Sequence, residues 1–488
     1  MQRNKVSIKK NFIMNVLLTM SGFIFPLITF PYVSRILLPE GTGKVQFATS
    51  VIAYFSLFAQ LGIPTYGIRA CAKVRDNREE LTRTAHELLI INLVMNVIVY
   101  IALAIALVTV PRLQKDRLLL VIVSLTIVLT SVGMEWLYKA LEQYTYIAVR
   151  SVVFKLIAVA AMFLLIHTKS DYVIYGGISI FAASASNILN LINAHKYIGF
   201  RPVGNYDFRR HLKPIGIFFA MACATTIYTN LDNVMLGFMT TDVDVGYYGA
   251  AVKIKGILVS VVTSLGAVLL PRATYYVEHG EMEEFRRITK KALNFVMLLA
   301  VPLSVFFILF AKEGILLLSG SEFEGSIVPM QVIMPTMLLI GITNILGIQI
   351  LVPTGRERIV LHSVIAGAVI DVIINALLIP YMQSTGAAIG TVVAEAVVLL
   401  VQYRTLHSEM KETVFGIHYF NICIAILLAT VASIWVKAFQ WSNFITLATA
   451  SILFFGVYGL FLFWRKETMA ADIFSQIMDK VKGLRKNR

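Results

Sequence analysis

Charge is scarce in this chain. Asp, Glu, Lys and Arg make up 15% of the 488 residues, against about a quarter in an ordinary soluble protein. With 58% hydrophobic residues and a mean hydropathy of +0.76, a water-soluble globular domain is excluded. Cysteine is rarer still. Cys71, Cys223 and Cys423 lie in or beside apolar runs, with neither a CxxC spacing nor an even framework, so no disulfide scaffold or zinc site is expected. The eight histidines are scattered, and GxSxG, HExxH and GxxxxGK[ST] are all absent. No catalytic centre, cofactor or metal is therefore expected. No soluble nucleotide-binding segment is present either, so uphill work would have to draw on an ion gradient, the membrane potential or a partner.

What the chain has instead is long apolar runs. One bilayer crossing takes about 20 such residues, and fourteen runs can be drawn: 11–36, 44–69, 84–110, 117–138, 147–167, 172–195, 213–239, 246–271, 289–311, 326–352, 358–381, 386–403, 416–438 and 443–464. The expected fold is an all-α polytopic membrane protein of about 14 transmembrane helices. An even number puts both termini on one side. With the N-terminus inside, the inner loops and tails with the span ends that flank them carry 32 of the 43 Lys and Arg and the outer ones 8, so both termini are expected in the cytoplasm. The basic start MQRNKVSIKK precedes a run too long for a signal-peptide core and reads as an uncleaved first span. Topology and anionic-lipid anchoring account for the formal charge of +15 in KVRDNR, RPVGNYDFRRHLK and LRKNR, and no nucleic-acid partner is implied.

A weak internal repeat appears at an offset of 203. Lys10 falls on Lys213, Gly43 on Gly246, Ala48 on Ala251, Arg69 on Arg272, Ala70 on Ala273, Glu80 on Glu283 and Arg83 on Arg286. Six spans per copy is even, so the copies would point the same way, related by an axis along the membrane normal. The expected organisation is two parallel six-helix lobes, 1–200 and 201–410, a further helix pair at 411–465 and a basic amphipathic cytoplasmic tail at 466–488. The inner stretches 196–212 and 272–288 read as a lobe linker and an interfacial segment, the second with Met282, Phe285 and Ile288 on one face and Glu281, Glu284 and Arg287 on the other. The tail repeats that pattern, with Ile473, Phe474, Ile477 and Val481 against Lys480, Lys482 and Arg485.

Charges inside apolar spans cost roughly 2.5–3.5 kcal/mol each at mid-depth on the insertion scale, so they mark wet, protein-enclosed paths. In the first span Asn11, Asn15, Gly22, Pro26 and Thr29 fall near one face, and Pro26 and Pro31 should break the hydrogen-bond ladder. That face reads either as a small-residue packing seam or as a cavity wall. In the seventh span Thr225, Thr229 and Asp232 form one stripe, with Thr226, Asn230 and Asn233 beside it, too wide a polar surface for a seam and suited to facing water. Lys253 and Lys255 follow on the next span, facing apart. Lys253 is the better candidate to line a cavity, near Asp232, and pairing or snorkelling is the alternative for either. Arg35 and Lys44 form a basic outer rim. Arg150 reads as a snorkelling residue, and Lys155, about a turn deeper, as a partner for an anionic headgroup. Asp371 and Glu395 are mid-depth acids on neighbouring spans. They read equally as a proton or sodium site and as structural hydrogen-bonding acids.

The run FPLITFPYVSRILLPEGTGKVQFATS, followed by LGIPTYGIRACAKVR, EQYTYIAVRSVVFK, IYTNLDNVMLG and GYYGAAVKIKG…LLPRATYY, resembles the bacterial polysaccharide-transporter flippases, the O-antigen and capsule repeat-unit flippases of the multidrug/oligosaccharidyl-lipid/polysaccharide exporter superfamily. It covers residues 11–275 in order. The resemblance implies an undecaprenyl-diphosphate-linked oligosaccharide moved between leaflets of the bacterial cytoplasmic membrane, a V-shaped cavity opening alternately to each side, and a lipid-tail groove at the terminal helix pair. A polysaccharide polymerase and glycosyltransferases would be its partners. On this reading Arg35, Lys155 and Lys253 hold the diphosphate, while Asp232, Thr225, Thr229 and Asn230 meet the substrate. The alternatives are an ion-coupled extruder of cations and drugs from the same superfamily, whose cargo favours acidic lining, and a non-transporting scaffold for polysaccharide assembly, which mid-depth charges disfavour.

Overall fold

The computed structural model describes residues 8–415, 419–465 and 467, and every regular element among them is a helix. The physical reason is the solvent. Hydrocarbon offers no partner to a backbone N–H or C=O, so a crossing segment must satisfy both within itself. Among the described residues eleven helices are long and apolar enough to cross a membrane, or twelve if Ser321–Ile333 and Thr336–Leu351, which meet at 45°, are taken as one broken span. The tail residues expected to form an amphipathic helix, Ile473 to Arg485, lie outside the described residues.

The chain divides into two compact units, Met1–Gly249 and Ala250–Arg488. The first holds α1 (Ile8–Gln60), α2 (Ile63–Lys73), α3 (Arg78–Thr109), α4 (Pro111–Gln114), α5 (Arg117–Gly133), α6 (Glu135–Ala140), α7 (Tyr144–Leu165), α8 (Tyr172–Ile180), α9 (Asn187–Asn193), α10 (Arg209–Met239) and the opening residues of α11 (Asp242–Glu278). The unit boundary falls within α11, after Gly249.

In α1 the prolines at 26 and 31 sit inside helix, each removing a bond from the ladder without ending the helix. The non-helical residue is Leu38, at φ 58° and ψ 180°. The chain reverses there. Before the break, Tyr32 donates to the Ile166 carbonyl at 2.8 Å, beside the end of α7. After it, residues 43–62 run antiparallel to α10, with Gly43 against Asp242, Phe47 against Gly237 and Gly62 against Phe218.

The start of α10 is fixed by a buried carboxylate on α3. Glu87, fully buried, accepts from the Asp207 backbone N–H at 2.7 Å, from Arg210 Nε at 3.1 Å and from His211 Nε2 at 2.7 Å. His211 Nδ1 then faces Tyr66 Oη at 2.8 Å. His86 bonds the Gly199 carbonyl and the Tyr206 hydroxyl at 2.7 and 3.1 Å. The stretch expected as a linker is therefore pinned to α3.

The second unit contains the rest of α11, then α12 (Met282–Leu309), α13 (Ala311–Ser319), α14 (Ile327–Ile333), α15 (Thr336–Asn344), α16 (Glu357–Phe415), α17 (Tyr419–Ile434) and α18 (Asn443–Trp464). The long α16 turns at Gln383, φ 46° and ψ −126°. No in-plane helix occurs at 282–288. The chain turns between α11 and α12, and Phe285 is 5% exposed, drawn into the unit because α12 continues it without a break. The terminal pair packs on α12 and α13 through Phe306, Phe310, Phe454 and Tyr458, with Tyr458 donating to the Leu298 carbonyl at 2.9 Å. Lys437 adds an ion pair to Glu313 at 3.6 Å.

Candidate substrate-handling site

Glycine decides how closely α1 approaches α10 and α11. A Cβ built on Gly43 would lie 1.7 Å from the Asp242 carbonyl oxygen, and one on Gly246 would lie 2.0 Å from that of Pro39. One on Gly237 would lie 2.0 Å from the Phe47 ring. Such distances are impossible between non-bonded atoms, so at Gly43 and Gly246 these helices meet backbone to backbone, and at Gly237 the Phe47 ring lies on the backbone. Arg112, between α3 and α5, straps the same corner. Its Nε donates to the Gly237 carbonyl at 2.6 Å, its Nη2 pairs with Asp242, and its guanidinium lies 4.4 Å from the Phe47 ring centre. Sequence reasoning passed over Arg112. The signal available was an arginine in an expected outer loop, against the positive-inside bias.

The stripe on α10 divides. Thr225 and Thr229 are exposed and bond back to the Met221 and Thr225 carbonyls at 3.2 and 2.9 Å. Asn230 is half-buried and donates to the Thr226 carbonyl at 3.1 Å. Asp232 is buried at 7% exposure and accepts from the Tyr248 hydroxyl of α11. Lys253 and Lys255 belong to the second unit, where both are half-buried.

The cations of the first unit have distinct surroundings. Arg35 is exposed and donates to the Pro31 carbonyl one turn back. Lys44 pairs with Glu40 at 2.8 Å and lies 4.9 Å from the Tyr172 ring centre. Arg150 does not snorkel. It is 5% exposed, donating to the Ser186 carbonyl at 2.7 Å and Asn187 Oδ1 at 3.0 Å, and pairing with Glu135 at 3.2 Å. Its helix face is turned into the unit, and three acceptors there replace water. Lys155 is half-buried and donates to Ser21 Oγ at 2.8 Å. Between α1 and α7 it opens on a cavity of about 520 Å³ whose other lining residues, Ser21 apart, are apolar. Gly22 beside it is exposed and has nothing within 4 Å of a Cβ position, so this stretch of α1 is no packing seam at Gly22.

In the second unit Asp371 and Glu395 are 2% and 5% exposed. They lie on the two segments of α16 either side of Gln383. Gly390 abuts the first, its Cβ position 2.9 Å from Asp371 Oδ1 and 2.1 Å from Asn375 Oδ1. The buried amide of Asn375 is thus a neighbour that the sequence did not suggest. No group of three or more His, Cys, Asp or Glu suited to a metal occurs among the described residues.

Comparison with known proteins agrees with this architecture. The chain is 24% identical over 400 residues to the "Putative O-antigen transporter" of Escherichia coli K12, covering 82% of this chain and 96% of that one. It is 23% identical over 405 residues to the protein of the same name in Shigella dysenteriae, covering 82% and 100%. Among solved structures, the lipid II flippase MurJ in its inward closed conformation superposes with a TM-score of 0.72 at 14% identity, over 93% of this chain and 99% of that one. The two share a fold. The MatE family model matches residues 217–377. The model described as polysaccharide biosynthesis protein matches residues 8–277, more than half of the sequence, and the chain accordingly belongs to that family, the polysaccharide-transporter flippases, as a multi-pass membrane transporter and not an enzyme.

Proposed function

We propose that this protein flips undecaprenyl-diphosphate-linked oligosaccharide repeat units from the inner to the outer leaflet of the bacterial cytoplasmic membrane by alternating access, for O-antigen, capsule or exopolysaccharide synthesis. Its relatives named as O-antigen transporters are matched over almost their whole length, and it shares the fold of a lipid II flippase. The observation that carries the reading is Lys155. Its ammonium lies about 17 Å along a helix of about 33 Å and has one hydroxyl partner, a poor arrangement for a structural cation and a good one for meeting an anion in passage. Fourteen crossings with both termini cytoplasmic belong to the same proposal.

In this reading Arg35, Lys155 and Lys253 hold the diphosphate at successive stages, and Thr225, Thr229, Asn230 and Asp232 meet the glycan. Asp371 and Glu395 couple transport to a proton or sodium gradient. A polymerase and glycosyltransferases act beside it. The test is glycan export in cells lacking their own flippase. Replacing Arg35, Lys155 and Lys253 together by Ala should abolish export, and full export at normal protein level would remove them from the mechanism. One observation favours a second reading, extrusion of cationic compounds: the MatE match spans Asp371, a buried acid suited to a cation. Efflux of a cationic dye by the parent, lost in Asp371→Asn while glycan export persists, would select it.

A further inference from the structure

The cavity beside Lys155 is a slot. Its walls are residues 14, 17, 21, 24 and 28 of α1 and 148, 152, 156 and 159 of α7, the three- and four-residue steps of two helix faces. It follows α1 for about 21 Å. Its volume of about 520 Å³ lies in the range of roughly 300–1,000 Å³ that holds small ligands. Apart from Lys155 and Ser21, all of its lining is aliphatic, aromatic or thioether. Several walls stand open: Leu17 is 49% exposed, Val153 45% and Leu156 63%.

We propose that this slot binds the headgroup-proximal part of a polyisoprenyl diphosphate while the carrier is in transit, the diphosphate on Lys155 and the first isoprene units along the α1–α7 walls. This deepens, and rests on, the flippase reading. The choice of occupant follows from depth. A resident phospholipid keeps its phosphate at the headgroups, about 15 Å from the centre of a hydrocarbon core about 30 Å thick, out of reach of a lysine near the middle of α7. A carrier being flipped must bring its diphosphate through that depth. There the ammonium has two unused donors to offer in place of water, and the apolar walls receive the chain that follows. Most of the slot lies on the Tyr144 side of Lys155, the cytoplasmic side in the proposed topology, so the tail trails toward the leaflet it has left.

The test uses the full chain in phosphatidylcholine nanodiscs with radiolabelled geranylgeranyl diphosphate as probe, and geranylgeraniol and phosphatidylglycerol as competitors. The parent should bind the probe and prefer it to both competitors. Lys155→Ala should weaken binding by about tenfold or more, as loss of a charge-assisted bond predicts, and Lys155→Arg should keep most of it. Val153→Trp and Leu156→Trp, both at open wall positions, should fill the slot and weaken binding as much. Parent-like binding by Lys155→Ala and both Trp variants would place the lipid elsewhere and overturn the proposal. Equal competition by geranylgeraniol would reduce the site to an apolar crevice, and equal competition by phosphatidylglycerol would make it a phospholipid site. Either result overturns it. Glycan export measured on the same variants separates the two levels. Export intact in the parent with no slot binding removes the slot alone, whereas a parent that neither binds the probe nor exports glycan removes the flippase reading as well.

Discussion

Arg150 and Lys155 stand five residues apart on α7, which turns them about 140° away from each other. Arg150 is enclosed by the first unit, where the Ser186 carbonyl, Asn187 and Glu135 receive its guanidinium. Lys155 faces an apolar slot with Ser21 as its hydrogen-bond partner. Both carry charge into the same stretch of membrane. The first has three protein acceptors on its two terminal nitrogens, and its removal leaves a hole in the fold. The second is matched by one hydroxyl, and its spare donors are the kind of group that a moving anion can use. On the proposed reading, the number of protein acceptors that a cation finds in hydrocarbon separates holding the fold from handling cargo.

The most severe way to break this comparison is at Arg150. Arg150→Ala removes one of the two cations that pair with Glu135, Lys139 being the other, and breaking a buried pair costs about 3–5 kcal/mol, toward the low end here because Glu135 is partly open and keeps Lys139. The variant should show a clear fall in melting temperature and in membrane abundance. Gly43→Ala probes a rigid region without charge. Its methyl must displace the Asp242 backbone, an overpacking cost of about 1–3 kcal/mol, readable in the same melting experiment, whereas Gly22→Ala should cost nothing measurable. Lys155→Ala should reverse the pattern of Arg150. Abundance and melting should stay at parental values while glycan export falls about tenfold, the loss expected of one charge-assisted contact. Equal destabilisation by Lys155→Ala and Arg150→Ala would dissolve the distinction. The smallest effect is expected on α10. Thr225→Val and Thr229→Val remove hydroxyls that bond only their own helix, so stability should change by less than about 0.5 kcal/mol. Any export defect in these two variants then reports contact with the glycan.

The helices were legible because hydropathy alone locates them, and Lys155 because a lysine within an apolar run is conspicuous whatever its partners. Arg150 was misread for a reason that spacing cannot repair. Depth along a span follows from counting residues, but the face depends on Glu135 and Asn187, which arrive from other helices. The interfacial reading of 282–288 failed similarly, since an amphipathic face suits a protein neighbour as well as a headgroup layer, and Phe285 found the former. Prolines 26 and 31 marked lost ladder bonds but not the reversal, because a proline removes one hydrogen bond without forcing a turn, while Leu38, unremarkable in sequence, holds the backbone angle that makes the reversal. The offset of 203 drew attention to Gly43 and Gly246 as matched letters. It gave no hint that they touch.

That contact constrains ancestry. Each glycine makes room for the corner that carries the other, so a side chain gained at one position cannot be absorbed by a change at its own hairpin alone. Two corners descended from one duplicated segment would have had to drift in step ever since, as if still a single gene at this point. The same contact limits engineering. A chimera joined anywhere between residues 44 and 237 takes Gly43 from one parent and Gly246 from the other, and it will assemble only where both parents kept the same clearance.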